Sequence, residues 1–201
     1  GLADDQRRRH CAGANARFLG CGSGRDAKAF KERGYEVDAF DASIELAQRA
    51  TSHTGISVAV MSFLDFNSTE LYDGIWACAS LLHLPQADVS TAMQRLWQGL
   101  KSGGVLYVSF KLGAGERIHG ERHFTDLDEA SLRALIQSLP DVTHTETWIT
   151  EDRRPDRSEH WINGLFRKAI TASQKLTTGG DDPFLPKLVH EIAHATDIDI
   201  S

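Results

Sequence analysis

The sequence predicts an α/β fold: a three-layer sandwich on a mostly parallel seven-stranded sheet that ends in an antiparallel hairpin. Three observations predict it. From Ala16 onward, short β-branched or aromatic runs alternate with helical patterns, which is how βαβ units feed a parallel sheet. A glycine-rich turn follows the first run. The last two runs, residues 142–150 and 161–168, are joined by EDRRPDRSEH, too short for a helix, so they pair antiparallel.

The elements follow in order. ARFL is the first strand and leads into Gly20. A helix over residues 26–33 stops at Gly34, and YEVDAFD is a second strand ending on Asp41. Ser43 is placed to cap the next helix. ISVAVM and DGIWACA are the third and fourth strands. Between Ala87 and Leu100, residues Val89, Ala92, Met93, Leu96 and Trp97 recur at helical spacing and form a packing face. Ser102-Gly103-Gly104 turns the chain into a fifth strand, VLYVSFK. Asp126 with Glu129 has the spacing of a capping box before a helix carrying Leu132, Leu135, Ile136 and Leu139.

At 201 residues, 41% hydrophobic and 25% charged, the chain has material for one complete domain. The expected division is an irregular segment over 1–15, the domain over 16–170, a Gly/Ser/Thr-rich linker over 171–182 and a helical tail over 183–201. A net charge of −6 argues against a protein whose main work is gripping phosphate backbones. Cys11, Cys21 and Cys78 lack CxxC spacing, so neither a disulfide framework nor a thiolate zinc site is expected. No apolar run reaches the roughly 18 residues that cross a bilayer. These features together predict a cytoplasmic protein with no membrane partner; oligomeric state is left open.

Gly20-Cys21-Gly22-Ser23-Gly24 has GxGxG spacing between a strand and a helix, where absent side chains let a ligand approach backbone N–H groups. A dinucleotide fingerprint requires a small residue where this chain has Arg25, which counts against a nicotinamide oxidoreductase. Asp41 lies 41 − 20 = 21 residues beyond the first glycine, at a strand end, where a carboxylate can accept both ribose hydroxyls of an adenosine. Capping the following helix, a task shared with Ser43, is the other reading of Asp41. Loop and acid together point to an adenosyl ligand in a Rossmann-like domain.

FLGCGSGRD, VDAFDAS, YDGIWACASLLHLP, LKSGGVLYVSFK and WITEDRRPDRSEHWINGLFRK occur in that order, and the stretch 16–168 resembles the class I S-adenosylmethionine-dependent methyltransferases similar to the tellurite-resistance group. The resemblance implies methyl transfer from S-adenosyl-L-methionine to a small-molecule or metalloid acceptor. It implies that Gly20, Cys21, Gly22 and Gly24 lie near the methionine part, Asp41 and Ala42 at the ribose, Ser62 and Phe63 beside the adenine, and Ala79 and Ser80 facing the methionine moiety. This chain departs from the family in two places: Phe18 and Ser62 stand where an acidic residue is usual, which predicts a weaker grip on the cofactor.

Methyl transfer from a sulfonium is an in-line displacement with a good leaving group, so alignment and desolvation can carry most of it. If the acceptor arrives protonated, His83 in the loop after the fourth strand is the candidate base, with a loop histidine bonding its own backbone as the competing reading. Arg25 is a candidate substrate contact. It is joined by Arg117, Arg122, Arg153, Arg154, His119 and His123 as side chains expected at the carboxyl edge of the sheet, each also readable as solvated surface charge. Cys78 lacks a Pro-Cys context and reads as a small apolar residue.

The tail contains His190-Glu191-Ile192-Ala193-His194, which matches the HExxH zinc pattern. A catalytic zinc needs a third protein ligand, which the few residues after it do not supply, so no metal site is assigned. From Asp182 the tail resembles the opening of the phospholipase-D-like nuclease domain that precedes some bacterial helicases. That resemblance implies an alternative function: a cofactor-binding regulatory module of a larger fusion, meeting nucleic acid only through the fused domain.

Overall fold

A computed structural model of the chain describes residues 17–21, 24–152 and 158–171. The expected N-terminal segment 1–15, most of the linker and the whole tail with its HExxH pattern lie outside the described residues, as do Gly22, Arg153 and Arg154.

The chain forms β1 (Arg17–Cys21), α1 (Arg25–Glu32), β2 (Glu36–Asp41), α2 (Ile44–Thr54), β3 (Val58–Val60) and β4 (Tyr72–Ala77). A 3-10 turn (Leu81–His83), α3 (Gln86–Gly99) and β5 (Leu100–Lys111) follow. Then come β6 (Gly115–His119), β7 (Arg122–Asp126), α4 (Glu129–Gln137), β8 (Val142–Glu151) and β9 (His160–Lys168).

The main sheet is mixed, with order β3-β2-β1-β4-β5-β9-β8. β1 to β5 pair in parallel, whereas β9 runs antiparallel to β5 and β8 antiparallel to β9. A second sheet, the antiparallel hairpin β6-β7, has no counterpart in the sequence reading.

Side chains alternate across the main sheet because successive residues of a strand point to opposite faces. Trp76, Val105, Tyr107 and Leu165 pack with Phe30 of α1, and Ala39 and Val58 with Ala27, Ala47 and Ala50 of α1 and α2. Ile75, Leu106, Val108 and Phe166 instead join Met93, Leu96 and Trp97 of α3 and Leu132 and Ile136 of α4. Helices therefore cover both faces. Buried Tyr107 stacks on Trp76 at 3.9 Å between ring centres and gives its hydroxyl hydrogen to Asn163 Oδ1 at 2.8 Å, which ties β5 to β9.

Two local expectations need correction. Asp126 does not cap α4; Asp128 does, accepting from the Ser131 N–H at 2.8 Å, while Asp126 is held by Arg117. Ser102-Gly103-Gly104 is not a turn before a strand. It lies within β5, where pairing with β4 shifts register between Tyr72 and Gly74. Gly103 has φ +78°, and a Cβ on Gly104 would stand 2.9 Å from the Lys101 carbonyl oxygen, so the glycines serve an irregularity in the strand.

Candidate functional site

Strand order reverses between β1 and β4: the chain builds outward from β1 to β3, then returns to add β4 and β5 on the other side. In an open α/β sheet the crevice at the carboxyl ends of the strands flanking such a switch point is where ligands bind. Gly20 and Cys21 close β1 and Asp41 closes β2, while Ser62, Ala79, Ser80 and His83 follow the carboxyl ends of β3 and β4.

Gly24 opens α1 with φ +82°, in the left-handed region. It is also a packing residue, because a Cβ there would lie 2.9 Å from both Ala50 Cβ and Thr54 Cγ2 of α2. The close approach that counted against Arg25 is thus carried one residue earlier. Arg25 is partly exposed and reaches Asp26 at 3.3 Å. Asp26 in turn accepts the Trp76 indole N–H at 2.8 Å, which fastens the start of α1 to β4.

Asp41 takes up the helix-starting task with one carboxylate oxygen. Its Oδ1 accepts the Ser43 N–H at 2.8 Å, and Ser43 Oγ accepts from the Leu46 N–H at 3.3 Å, so the two residues together start α2. None of the described residues bonds the other carboxylate oxygen of Asp41, which is the group a ribose would need. Ala42 between them is exposed.

After β3, Ser62 donates its hydroxyl hydrogen to Asp65 Oδ2 at 2.6 Å, and its Oγ accepts the Asp65 N–H at 3.2 Å. These bonds hold the Asp65 carboxyl below its ordinary value of 3.8. Phe63 is buried, edge-on to Phe40 at 5.1 Å, so it acts first as core.

The loop after β4 is the most constrained part of the site. Ala79 has φ +47°, uncommon for a residue with a Cβ, and strain of this kind persists only where the surroundings impose it. Fully buried Ser109 of β5 imposes it: its Oγ accepts the Ala79 N–H at 2.8 Å and lies 3.7 Å from Cys78 Sγ. Burial of its sulfur pushes the Cys78 thiol up to about 12, which favours the protonated form. The Ser80 hydroxyl oxygen is buried and has no hydrogen-bond partner among the described residues. An orphaned buried hydroxyl costs about 1–3 kcal/mol, and at the switch point it suits a bound polar group.

His83 ends the 3-10 turn and faces the β6-β7 hairpin. Its Nδ1 lies 3.1 Å from the His123 carbonyl oxygen and its ring meets Phe124 edge-on at 5.0 Å. The hairpin docks on the same turn through Thr125, whose hydroxyl donates to the Leu84 carbonyl at 2.7 Å, and through Glu116, which accepts the Gln86 N–H. Burial lowers the His83 pKa; the bond to His123 opposes that shift.

Among the described residues, the cations proposed from sequence do not converge. Arg117 pairs with Asp126 at 2.7 Å and lies 4.6 Å over Phe124. His123 meets Glu116 at 3.2 Å, while His119 and Arg122 face each other at the exposed end of the hairpin. Buried Lys111, unanticipated from sequence, pairs with Glu159 at 2.5 Å beside the rings of Phe124 and Trp161. Among the described residues no group of three or more His, Cys, Asp or Glu could hold a metal, and no helix is long and apolar enough to cross a membrane.

This is the crevice of an α/β domain with a topological switch point. Residues 18–104 match the family described as Methyltransferase domain, whose cofactor is S-adenosylmethionine. Over 157 residues the chain is 23% identical to malonyl-[acyl-carrier protein] O-methyltransferase of Salmonella typhimurium. That stretch is 76% of this chain and 55% of the other, so the chain spans about half the length of the curated relative it matches.

Among solved structures, 1,6-didemethyltoxoflavin-N1-methyltransferase of Burkholderia thailandensis, determined with 1,6-didemethyltoxoflavin and S-adenosylhomocysteine, superposes with a TM-score of 0.63. Identity is 23%, covering 84% of this chain and 77% of that one. TehB of Haemophilus influenzae superposes with a TM-score of 0.62 at 19% identity, over 82% of this chain and 62% of that one. These likenesses establish a common fold.

Proposed function

We propose that the domain transfers a methyl group from S-adenosylmethionine to a small-molecule acceptor in the cytoplasm. The observation that carries this reading is the pair of open polar groups at the switch point, one carboxylate oxygen of Asp41 and the buried hydroxyl of Ser80. Asp41 would accept the ribose hydroxyls. Ser80 and the strained backbone at Ala79 would meet the methionine part, Gly20, Cys21, Gly22 and Gly24 would turn beneath it, and Ala42, Ser62 and Phe63 would border the adenosine. The cofactor supplies an electrophilic methyl group; the chain supplies alignment and a dry site.

The family match over residues 18–104 and the methyltransferase fold support the reaction type. A metalloid acceptor of the tellurite-resistance kind is supported by the sequence resemblance and by the likeness to TehB. Arg117, paired with Asp126, gives little help in holding an anion.

Calorimetric titration with S-adenosylmethionine, S-adenosylhomocysteine and NAD tests the reading. Micromolar binding of the first two and none of NAD is expected, and would be followed by a screen of acceptors beginning with tellurite and selenite. Binding of NAD alone, or of no ligand, would overturn it.

A further inference from the structure

The strongest unassigned feature is the β6-β7 hairpin, whose polar contacts converge on the turn that carries His83. A carbonyl oxygen can only accept a hydrogen bond, so the 3.1 Å contact with the His123 carbonyl puts the imidazole hydrogen on Nδ1. Nε2 then keeps its lone pair, and none of the described residues bonds it. The contact is not needed to attach the hairpin, because Thr125 already donates to the Leu84 carbonyl and Glu116 accepts from Gln86.

We propose that the hairpin sets His83 as the proton acceptor of the transfer, and that the acceptor molecule carries its nucleophile as X–H, a phenolic hydroxyl or a heteroaromatic N–H. This rests on the methyl-transfer reading. The heteroatom X bonds to the methyl carbon as the carbon–sulfur bond breaks and its electron pair stays on sulfur. The proton of X passes to His83 Nε2, and the imidazolium later returns it to water. An oxyanion such as selenite attacks with a free lone pair and gains nothing from such a base.

The charged surroundings agree with a neutral imidazole. Lys111 from β5 and Arg122 from β7 disfavour its protonation, and Asp41 from β2 favours it, while burial exceeds each of these. Glu116 of β6 is engaged with His123, and Asp126 of β7 with Arg117. Edge contact with Phe124 keeps water from one side of the ring.

Histidine-labelled full chain, observed by long-range proton–nitrogen correlation and assigned with His83→Gln, tests the proposal. The expected spectrum at pH 7 has a protonated Nδ1 and a bare Nε2, with a titration midpoint below 6.5, the ordinary value. In Phe124→Ala the midpoint moves up toward that value and the tautomers mix. In a second measurement, diethyl pyrocarbonate at pH 6 acylates His83 ahead of His53, which is exposed as His83 is, read by peptide mass spectrometry. A protonated Nε2, a midpoint at or above the ordinary value, or a His83 slower than His53 would overturn the proposal. S-adenosylhomocysteine titrated into the same sample separates the failures. Binding with the wrong tautomer sinks only the base, whereas absence of binding sinks the methyl-transfer reading itself.

Discussion

Ser109→Ala is the sharpest test of how the site is held. The variant removes one oxygen from a fully buried position and leaves the Ala79 N–H, which that oxygen accepts at 2.8 Å, without its partner. A buried donor left unpaired costs about 1–3 kcal/mol. The true cost falls toward the upper part of that range if Ala79 keeps φ +47°, since the left-handed conformation already stores roughly 1–2 kcal/mol. If Ala79 relaxes instead, stability is partly recovered, but Ala79 and Ser80 leave their positions at the switch point. Thermal unfolding and calorimetry with S-adenosylhomocysteine therefore have to be read together. For a domain of this size 1 kcal/mol moves the midpoint by about 2–4 °C, so a fall of roughly 2–12 °C is expected, with a loss of affinity growing as the stability loss shrinks. An unchanged midpoint together with unchanged affinity would refute the claim that Ser109 holds the loop.

Other outcomes follow from the same geometry. Asp41→Ala should weaken S-adenosylhomocysteine binding by about 1–3 kcal/mol, measured by calorimetry, and also loosen the start of α2; Asp41→Asn, which can still accept the Ser43 N–H, should lose affinity with less loss of stability. Gly24→Ala should lower stability by about 2–5 kcal/mol in a denaturant titration, adding roughly 1–2 for the left-handed backbone to 1–3 for overpacking against Ala50 and Thr54. Cys78, with its thiol pushed up to about 12, should resist iodoacetamide at pH 8 in the folded chain and react only on unfolding, as followed by mass spectrometry.

Sequence reasoning reached the parts of this molecule that local pattern controls. β2 and β4 were legible because β-branched and aromatic residues lie between turn signals, and the Ser43 cap because a cap is a contact across three residues. Asp126 misled because Asp128 stands two residues on with the same chemistry, and only tertiary structure gives Asp126 to Arg117. The β6-β7 hairpin left no signal: GERIH and RHFTD are largely exposed, with Thr125 their sole buried residue, so neither strand has an apolar face to alternate. Ser109 could be noticed as a small polar residue in the apolar run VLYVSFK, yet its partner Ala79 is 30 residues away and the bond follows from β4-β5 register. The glycine-rich stretch and Asp41 stand out in the sequence for the opposite reason: their spacing is what an approaching adenosyl ligand would ask of neighbouring residues.

The loss of an acidic residue at Ser62 then takes on a different meaning. On sequence alone it predicts a weaker hold on the cofactor, because a hydroxyl replaces a carboxylate. In the structure the Ser62 hydroxyl and backbone N–H both point at Asp65 Oδ2, so a carboxylate stands three residues downstream on the same turn. Because those bonds lower the Asp65 pKa, the group is ionised from below pH 3.8 upward, and the stability it contributes is present above that pH and lost as pH falls through the lowered value. If this carboxylate serves the adenine in place of the missing one, Asp65→Asn weakens S-adenosylhomocysteine binding at pH 7 while Ser62→Ala, which frees Asp65 from its tether, weakens it less. Equal affinity in Asp65→Asn and the unaltered chain would return the weight to the sequence reading: the acid was lost and nothing replaced it.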